Sequence, residues 1–316
     1  MSTAQAVDVR GTPAEASPGA GVGEVRKTGW FVRITIVVVV LLWLIPTIGV
    51  LISSLRPPEL VESTGWWTVF GHLFDKAQWT FQNYRTALSQ GGFSSAFLNS
   101  LAVTIPATVI PITIAAFAAY AFSWMEFRGR YVMFVAVVAL LVVPLQMALI
   151  PILRLYTGGG SIGGVQIFPD LDLGGTFLGI WLAHTGFGLP LAVYLLRNYI
   201  GALPSEIIES ARMDGADHFT IFWRLIIPLS VPALAAFAIF QFLWVWNDLL
   251  VALVFLGGTP ENRVLTVALQ QLVGARGENW ELLTAAAFIS MSLPLVVFFS
   301  LQRYFVRGLT AGSVKG

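Results

Sequence analysis

Ionisable side chains are scarce in this sequence, and eight of them gather in one short stretch: Arg197, Glu206, Glu209, Arg212, Asp214, Asp217, His218 and Arg224. Strongly apolar runs, Leu189 to Ile200 and Leu229 to Phe255, lie on either side. The spacing does not make an acid–base pair or a metal site. It places charge on a short helical unit. Pro204 suits the first turn of a helix, where its missing N–H is no loss. Glu206 and Glu209 fall in the first turns, where the helix dipole favours negative charge. Glu209 and Arg212 are spaced to meet on one face. Gly215 stands where a left-handed residue ends a helix. Asp217 can cap a second short helix, His218 to Leu225, and Pro228 is expected to close the unit. The result is a helix–Gly–helix element between two apolar runs. The blander alternative is an amphipathic surface loop whose Glu and Gly only build a hairpin.

A second set of polar residues lies inside the apolar runs. Gln146 stands between Pro144 and Pro151, and Gln241, Trp244, Asn247 and Asp248 follow one another in a later run. Polar groups in hydrocarbon are costly, so these side chains must face protein or a water-filled path. Hydrogen bonding between helices and a role along a substrate path both satisfy that demand. Asp248 can pair with an Arg of another loop. His184 reads as a packing residue, because no second His, Asp or Glu stands at ligand spacing in its run. His72, His184 and His218 are scattered. There is no G-x-x-x-x-G-K-[ST], no H-E-x-x-H and no G-x-S-x-G. The sequence therefore holds no phosphate loop for ATP and no recognisable hydrolase centre.

Composition defines the elements that carry these residues. The chain is 56% apolar and 11% charged, against roughly 25% charged in soluble domains. Its mean hydropathy is +0.78. Six runs have the length of about 20 residues that a bilayer demands: 34–55, 97–124, 131–156, 176–199, 229–255 and 282–305. The fourth is interrupted by His184-Thr185-Gly186-Phe187-Gly188-Leu189-Pro190, either a kink or an unwound turn. Residues 1–29 are rich in Ala, Gly, Ser and Pro and read as a disordered tail. Residues 309–316 form a C-terminal tail. The first run is longer than a signal-peptide core and is read as a retained span. With six spans, Arg56, Lys76, Arg85, Arg154, Arg263 and Arg276 fall on one side, and the remaining Lys and Arg of the chain's 18 on the other. The positive-inside rule then puts both termini and the 201–228 element in the cytoplasm. The loops 56–96, 157–175 and 257–281 face outward, and Trp66, Trp67 and Trp79 suit an interfacial loop. The net charge of +1 offers no footprint for nucleic acid. The absence of cysteine excludes disulfides and thiol chemistry.

Glu209-Ser210-Ala211, three residues, Gly215, nine residues and Leu225-Ile226-Ile227-Pro228 resemble the E-A-A-x3-G-x9-I-x-L-P signature of permease subunits of binding-protein-dependent ABC importers. Leu196-Arg197-Asn198-Tyr199, Leu203-Pro204-Ser205-Glu206, Trp246-Asn247-Asp248 and the ending from Gln302 to Gly316 are similar to the carbohydrate branch, nearest to the maltose-type second permease. Ser210, Leu225 and Ile227 depart mildly from the signature.

The resemblance implies an all-α integral membrane protein of the ABC importer type I permease kind, with six transmembrane helices and a cytoplasmic coupling-helix element. Glu209, Ser210, Ala211, Asp214, Gly215 and Pro228 would couple it to the ATPase. The outer loop with Gly258, Leu272, Gly274 and Gly277 would contact a binding protein. Gln146, Gln241, Trp244 and Asn247 are the candidates for a substrate path. Expected partners are a second permease subunit, two ATP-binding cassette subunits that carry ATP and Mg, and an extracytoplasmic substrate-binding protein. The chain itself would be no enzyme and would bind no cofactor. It would sit in a bacterial cytoplasmic (inner) membrane and pass a sugar, an α-glucoside such as maltose, trehalose or sucrose. Glycerol 3-phosphate or another polyol is the alternative, but a phosphate anion would want cations at depth, and none is seen there. A stand-alone secondary transporter normally shows a relay of buried charges, and apart from Asp248 the runs hold none.

Overall fold

The computed structural model describes residues 29–89, 92–272 and 279–311. Gly274, Gly277, residues 1–28 and residues 312–316 lie outside the described residues. The chain divides into two units, up to Ile48 and from Gly49 onward. The described part of the first is the apolar run that opens α1 (Trp30–Ser54), with Pro46 inside the helix. All of its side chains from Trp30 to Ile48 are exposed.

The second unit begins with the end of α1 and the short α2 (Pro58–Ser63). Arg56 is 1% exposed. Its guanidinium donates to the Gly65 carbonyl at 3.0 Å and to Thr64 Oγ1 at 2.7 Å, pinning the turn after α1. Burial lowers its pKa, but a guanidinium stays charged. Then come α3 (Gln82–Ser89) and α4 (Phe93–Trp124), the latter a helix with Pro106 and Pro111 inside. After them α5 (Arg130–Ala139) runs through a 3-10 turn to a break, and α6 (Leu145–Gly158) resumes at an angle of 107°. A small hairpin, β1 (Gly160–Ile162) and β2 (Val165–Phe168), pairs antiparallel. It leads to α7 (Phe177–Ile200), whose first turn is capped by the Thr176 hydroxyl accepting from Gly179 N. The short α8 (Ser205–Met213) and α9 (His218–Ile221) follow, then α10 (Ile227–Trp246), α11 (Leu250–Phe255), α12 (Leu265–Leu272) and α13 (Trp280–Ala311).

Among the described residues, five helices have the length and composition to cross a membrane, six if the bent α5–α6 pair is one span. The broken span is thus the third and not the fourth. Pro144 disfavours helical geometry at Val143 and supplies no N–H; Val143 is accordingly extended, with ψ 115°. Pro190, by contrast, sits within unbroken α7. The proposed C-terminal tail also starts later than expected, since α13 runs through 309–311.

The core of this unit is built on α4, which packs along α7; α10 lies against both and against α13. Trp246 Nε1 donates to the Ser290 carbonyl at 3.1 Å, tying α10 to α13. The segment after α11 is held to α4 by Asn99 Nδ2, which donates to the Glu261 and Arg263 carbonyls at 2.8 and 3.0 Å. Ser100 Oγ beside it accepts from Leu265 N at 2.8 Å.

Candidate functional site: a clamped helix–glycine–helix element

The 201–228 stretch folds into α8, a glycine turn and α9. Ser205 opens α8 directly after extended Pro204. At its far end Ala216 N donates to the Ala211 carbonyl and Gly215 N to the Arg212 carbonyl, each at 3.0 Å. This is the Schellman pattern with Gly215 as the left-handed residue, and its φ is +83°. Asp217 Oδ1 then accepts from Thr220 N at 2.8 Å and caps α9. The hydrogen bonds from Thr220 hold the Asp217 carboxyl below its ordinary pKa of 3.8.

Two expectations fail here for local reasons. Pro228 does not close the unit. The helix passes from α9 through a π turn, Phe222–Ile226, into α10, so that His218–Trp246 is one rod. Ile227 N donates to the Phe222 carbonyl. Widening the turn by one residue accommodates the donor that Pro228 lacks. Nor does Glu209 pair with Arg212. Arg212 Nη2 donates to the Trp124 carbonyl at 3.0 Å, and Glu209 stays exposed.

The element is fastened to the helices beneath it. Ile208, 1% exposed, enters a cluster with Ala119, Tyr120, Leu196, Ile200, Ile221 and Phe222, and Leu203, Ala211 and Ala216 pack against that cluster. The Tyr120 hydroxyl and His218 Nδ1 are 2.8 Å apart, and Trp124 Nε1 donates to the Ile200 carbonyl at 3.1 Å. Glu206 and Ser210 fall on the face of α8 opposite Ile208, and both are exposed. Met213, at 88%, and Phe219, at 69%, extend an outer surface that the chain leaves uncovered.

The candidates at depth separate. Trp244 borders a cavity of about 280 Å³ at the α5–α6 break, with Leu140, Leu145, Phe187 and Pro190. Gln146 is exposed at the start of α6, one residue from that wall. Gln241 is 1% exposed and donates through Nε2 to the Ala107 carbonyl at 3.1 Å, so it braces α10 against α4. Asn247 is exposed and turns back on its own helix, donating to the Leu243 carbonyl at 2.7 Å. Among the described residues Asp248 meets no Arg. His184 Nε2 lies 3.8 Å from Asp248 Oδ2, and the carboxylate also accepts from Ala252 N at the start of α11. Ser100 on α4, His184 on α7 and Asp248 between α10 and α11 line one small pocket, a grouping that no spacing within the chain reveals; the polarity of Ser100 within an apolar run was the signal available. Among the described residues no three His, Cys, Asp or Glu gather as a metal site. Gly258 lies in the turn after α11 and Leu272 ends α12, and residues 273–278 beyond it lie outside the described residues.

Residues 111–311 match the family described as binding-protein-dependent transport system inner membrane component. The chain is similar to the osmoprotective compounds uptake permease protein GgtD of Synechocystis sp., 59% identical over 92% of this chain and 95% of the relative. It is also similar to the alpha-glucoside transport system permease protein AglG of Rhizobium meliloti, 46% identical over 91% of this chain and 97% of that one. A crystal structure of a bacterial ABC transporter that imports the acidic polysaccharide alginate has a chain of the same fold. Its TM-score is 0.69 at 21% identity, over 87% of this chain and 95% of that chain. The chain belongs to the inner membrane permease subunits of binding-protein-dependent ABC importers.

Proposed function

We propose that this permease passes a neutral, polyhydroxylated solute of the α-glucoside class, and that α8, Gly215 and α9 couple its movement to ATP hydrolysis on separate subunits. One observation carries the coupling: α9 is continuous with α10 down to Trp246, while α8 is clamped to α4 and α7. A displacement imposed on the outer face of α8 reaches the membrane helices as a rigid-body movement. Glu209, Ser210 and Asp214 line or border that outer face; Ala211 and Gly215 set its shape. Pro228 governs where the π turn falls.

ATP and Mg belong to two ATPase subunits in this reading. ATP biases the cycle because it binds their closed pair better than the open one. A second permease faces the α5–α6 break and completes a path in which Trp244 presents an aromatic wall and Gln146 a polar one. The segment around Gly258 and Leu272 faces a substrate-binding protein. The chain sits in a bacterial cytoplasmic membrane with both termini inside. The 46% identity to an alpha-glucoside permease supports the solute class.

The test is ATPase activity of the reconstituted complex with its binding protein. Maltose, trehalose or sucrose should raise it, and glycerol 3-phosphate should not. Stimulation by glycerol 3-phosphate alone would overturn the solute class.

A further inference from the structure

Beneath α8 a second, polar cavity of about 420 Å³ is lined by Ser123, Trp124, Glu126, Arg130, Arg212 and His218. It lies between the end of α4, the start of α5 and the inner side of the helix–glycine–helix element. Arg212 projects about 40° round α8 from buried Ile208, away from the face that carries Glu206 and Ser210. The cavity is therefore separate from the outer docking surface.

Its cations are placed in advance. Arg130 Nη1 donates to the Met125 carbonyl and Arg212 Nη2 to the Trp124 carbonyl, both at 3.0 Å. Each guanidinium thus spends one N–H on the exposed carbonyls at the end of α4 and keeps most of its donors for an anion. Neither is ion-paired with a described residue, and the one carboxylate in the wall, Glu126, is itself exposed. Tyr120 occupies His218 Nδ1, which leaves Nε2. Trp124 stands in the wall, its indole N–H fixed to the Ile200 carbonyl. Beside the cavity, Phe127, Tyr131 and Val132 are exposed apolar side chains. Two guanidiniums and an imidazole beside exposed apolar side chains fit a phosphodiester whose tails continue into lipid; the Ser123 hydroxyl in the wall is spent on the Arg197 carbonyl at 3.3 Å.

We propose that this cavity binds the phosphate of an anionic lipid headgroup and cements the element to α4 and α5. The shared chemistry is a phosphate held by Arg130 and Arg212. The proposal stands on the cavity and does not depend on which solute is carried.

The complete importer, purified with its partner subunits, is stripped of lipid in detergent. It is then given short-chain phosphatidylglycerol, short-chain phosphatidylcholine or inorganic phosphate, and bound adducts are counted by native mass spectrometry. Phosphatidylglycerol should be retained over phosphatidylcholine. Arg212→Gln, at an exposed position that tolerates the change, should weaken it about fivefold, and Arg130→Gln/Arg212→Gln roughly 20- to 30-fold. Arg224→Gln, outside the cavity, should leave retention unchanged. Inorganic phosphate that binds as tightly as the lipid, and is lost in the same variants, would keep the site and name the free anion as its ligand. Retention of phosphatidylglycerol by Arg212→Gln at wild-type strength would overturn the proposal. So would loss of the ATPase subunits with lipid retention unchanged, which would give the cavity to a protein partner.

Discussion

The side-chain amide of Gln241 fills the space that a Cβ on Gly188 would need. That carbon would lie 2.7 Å from both Nε2 and Oε1, while Nε2 is already held by the Ala107 carbonyl. One buried amide therefore sets how closely α7, α10 and α4 approach. Gly188→Ala must push the amide off Ala107. The cost is expected at about 1 to 3 kcal/mol, from overpacking and a lost interhelical hydrogen bond. Gln241→Ala removes the obstacle, so the double variant should be more stable than the sum of the singles predicts. Thermal unfolding of the purified complex measures both, and strict additivity would show that the two sites do not touch.

Gly215→Val isolates the joint of the coupling element. A Cβ there meets nothing within 4 Å, so the substitution acts only through its φ of +83°. The strain is roughly 1 kcal/mol and more for a β-branched residue. Protein should reach the membrane at near-normal level while uptake falls severely. Gly215→Asn, which tolerates the left-handed region better, should retain more transport. Equal transport by both variants and the parent would remove Gly215 from the mechanism.

Asp217 gives the element a pH dependence. Its carboxyl titrates below 3.8 when folded because Thr220 donates to it. The cap is in place at neutral pH, begins to weaken as pH falls past 3.8, and is lost through the lower folded value. Asp217→Asn keeps the capping oxygen and removes the charge. Its unfolding temperature should fall less steeply than the parent's between pH 5 and pH 3. Parallel curves would place the acid sensitivity elsewhere.

Asn99→Ala frees the segment after α11 from α4 by removing two hydrogen bonds to the carbonyls of Glu261 and Arg263, at about 1 kcal/mol each. If that segment meets the binding protein, stimulation of ATPase by loaded binding protein should drop several-fold with basal activity intact. Unchanged stimulation would make the segment a connector.

The topology has its own readout. Ser161 and Ser205 are both exposed but are assigned to opposite sides of the membrane. In intact cells, Ser161→Cys should react with an impermeant thiol reagent and Ser205→Cys should be protected. The reverse pattern would invert the chain.

What the sequence disclosed was local. Pro204, Gly215 and Asp217 specify the caps and the turn by their own backbone chemistry, and the polar stretch stands out against apolar flanks. What it concealed depended on neighbours. Pro144 and Pro190 look alike in the chain, yet one breaks a span and the other sits in a continuous helix. Pro228 looks like a terminator, but a π turn carries the helix past it. Arg212 finds the carbonyl of Trp124, 88 positions away, in preference to nearby Glu209. His184 on α7 meets Asp248 in the turn between α10 and α11, and no spacing along the chain encodes that encounter.

The central claim is that the outer face of α8 is where the ATPase pushes. A photo-crosslinking amino acid at Ser210, opposite Ile208, tests it in membranes containing the assembled importer. The account predicts one adduct with the subunit that carries the ATP phosphate loop, identified by peptide mass spectrometry and strongly reduced by Gly215→Val. Crosslinking of Ser210 only to lipid or to the substrate-binding protein would contradict it.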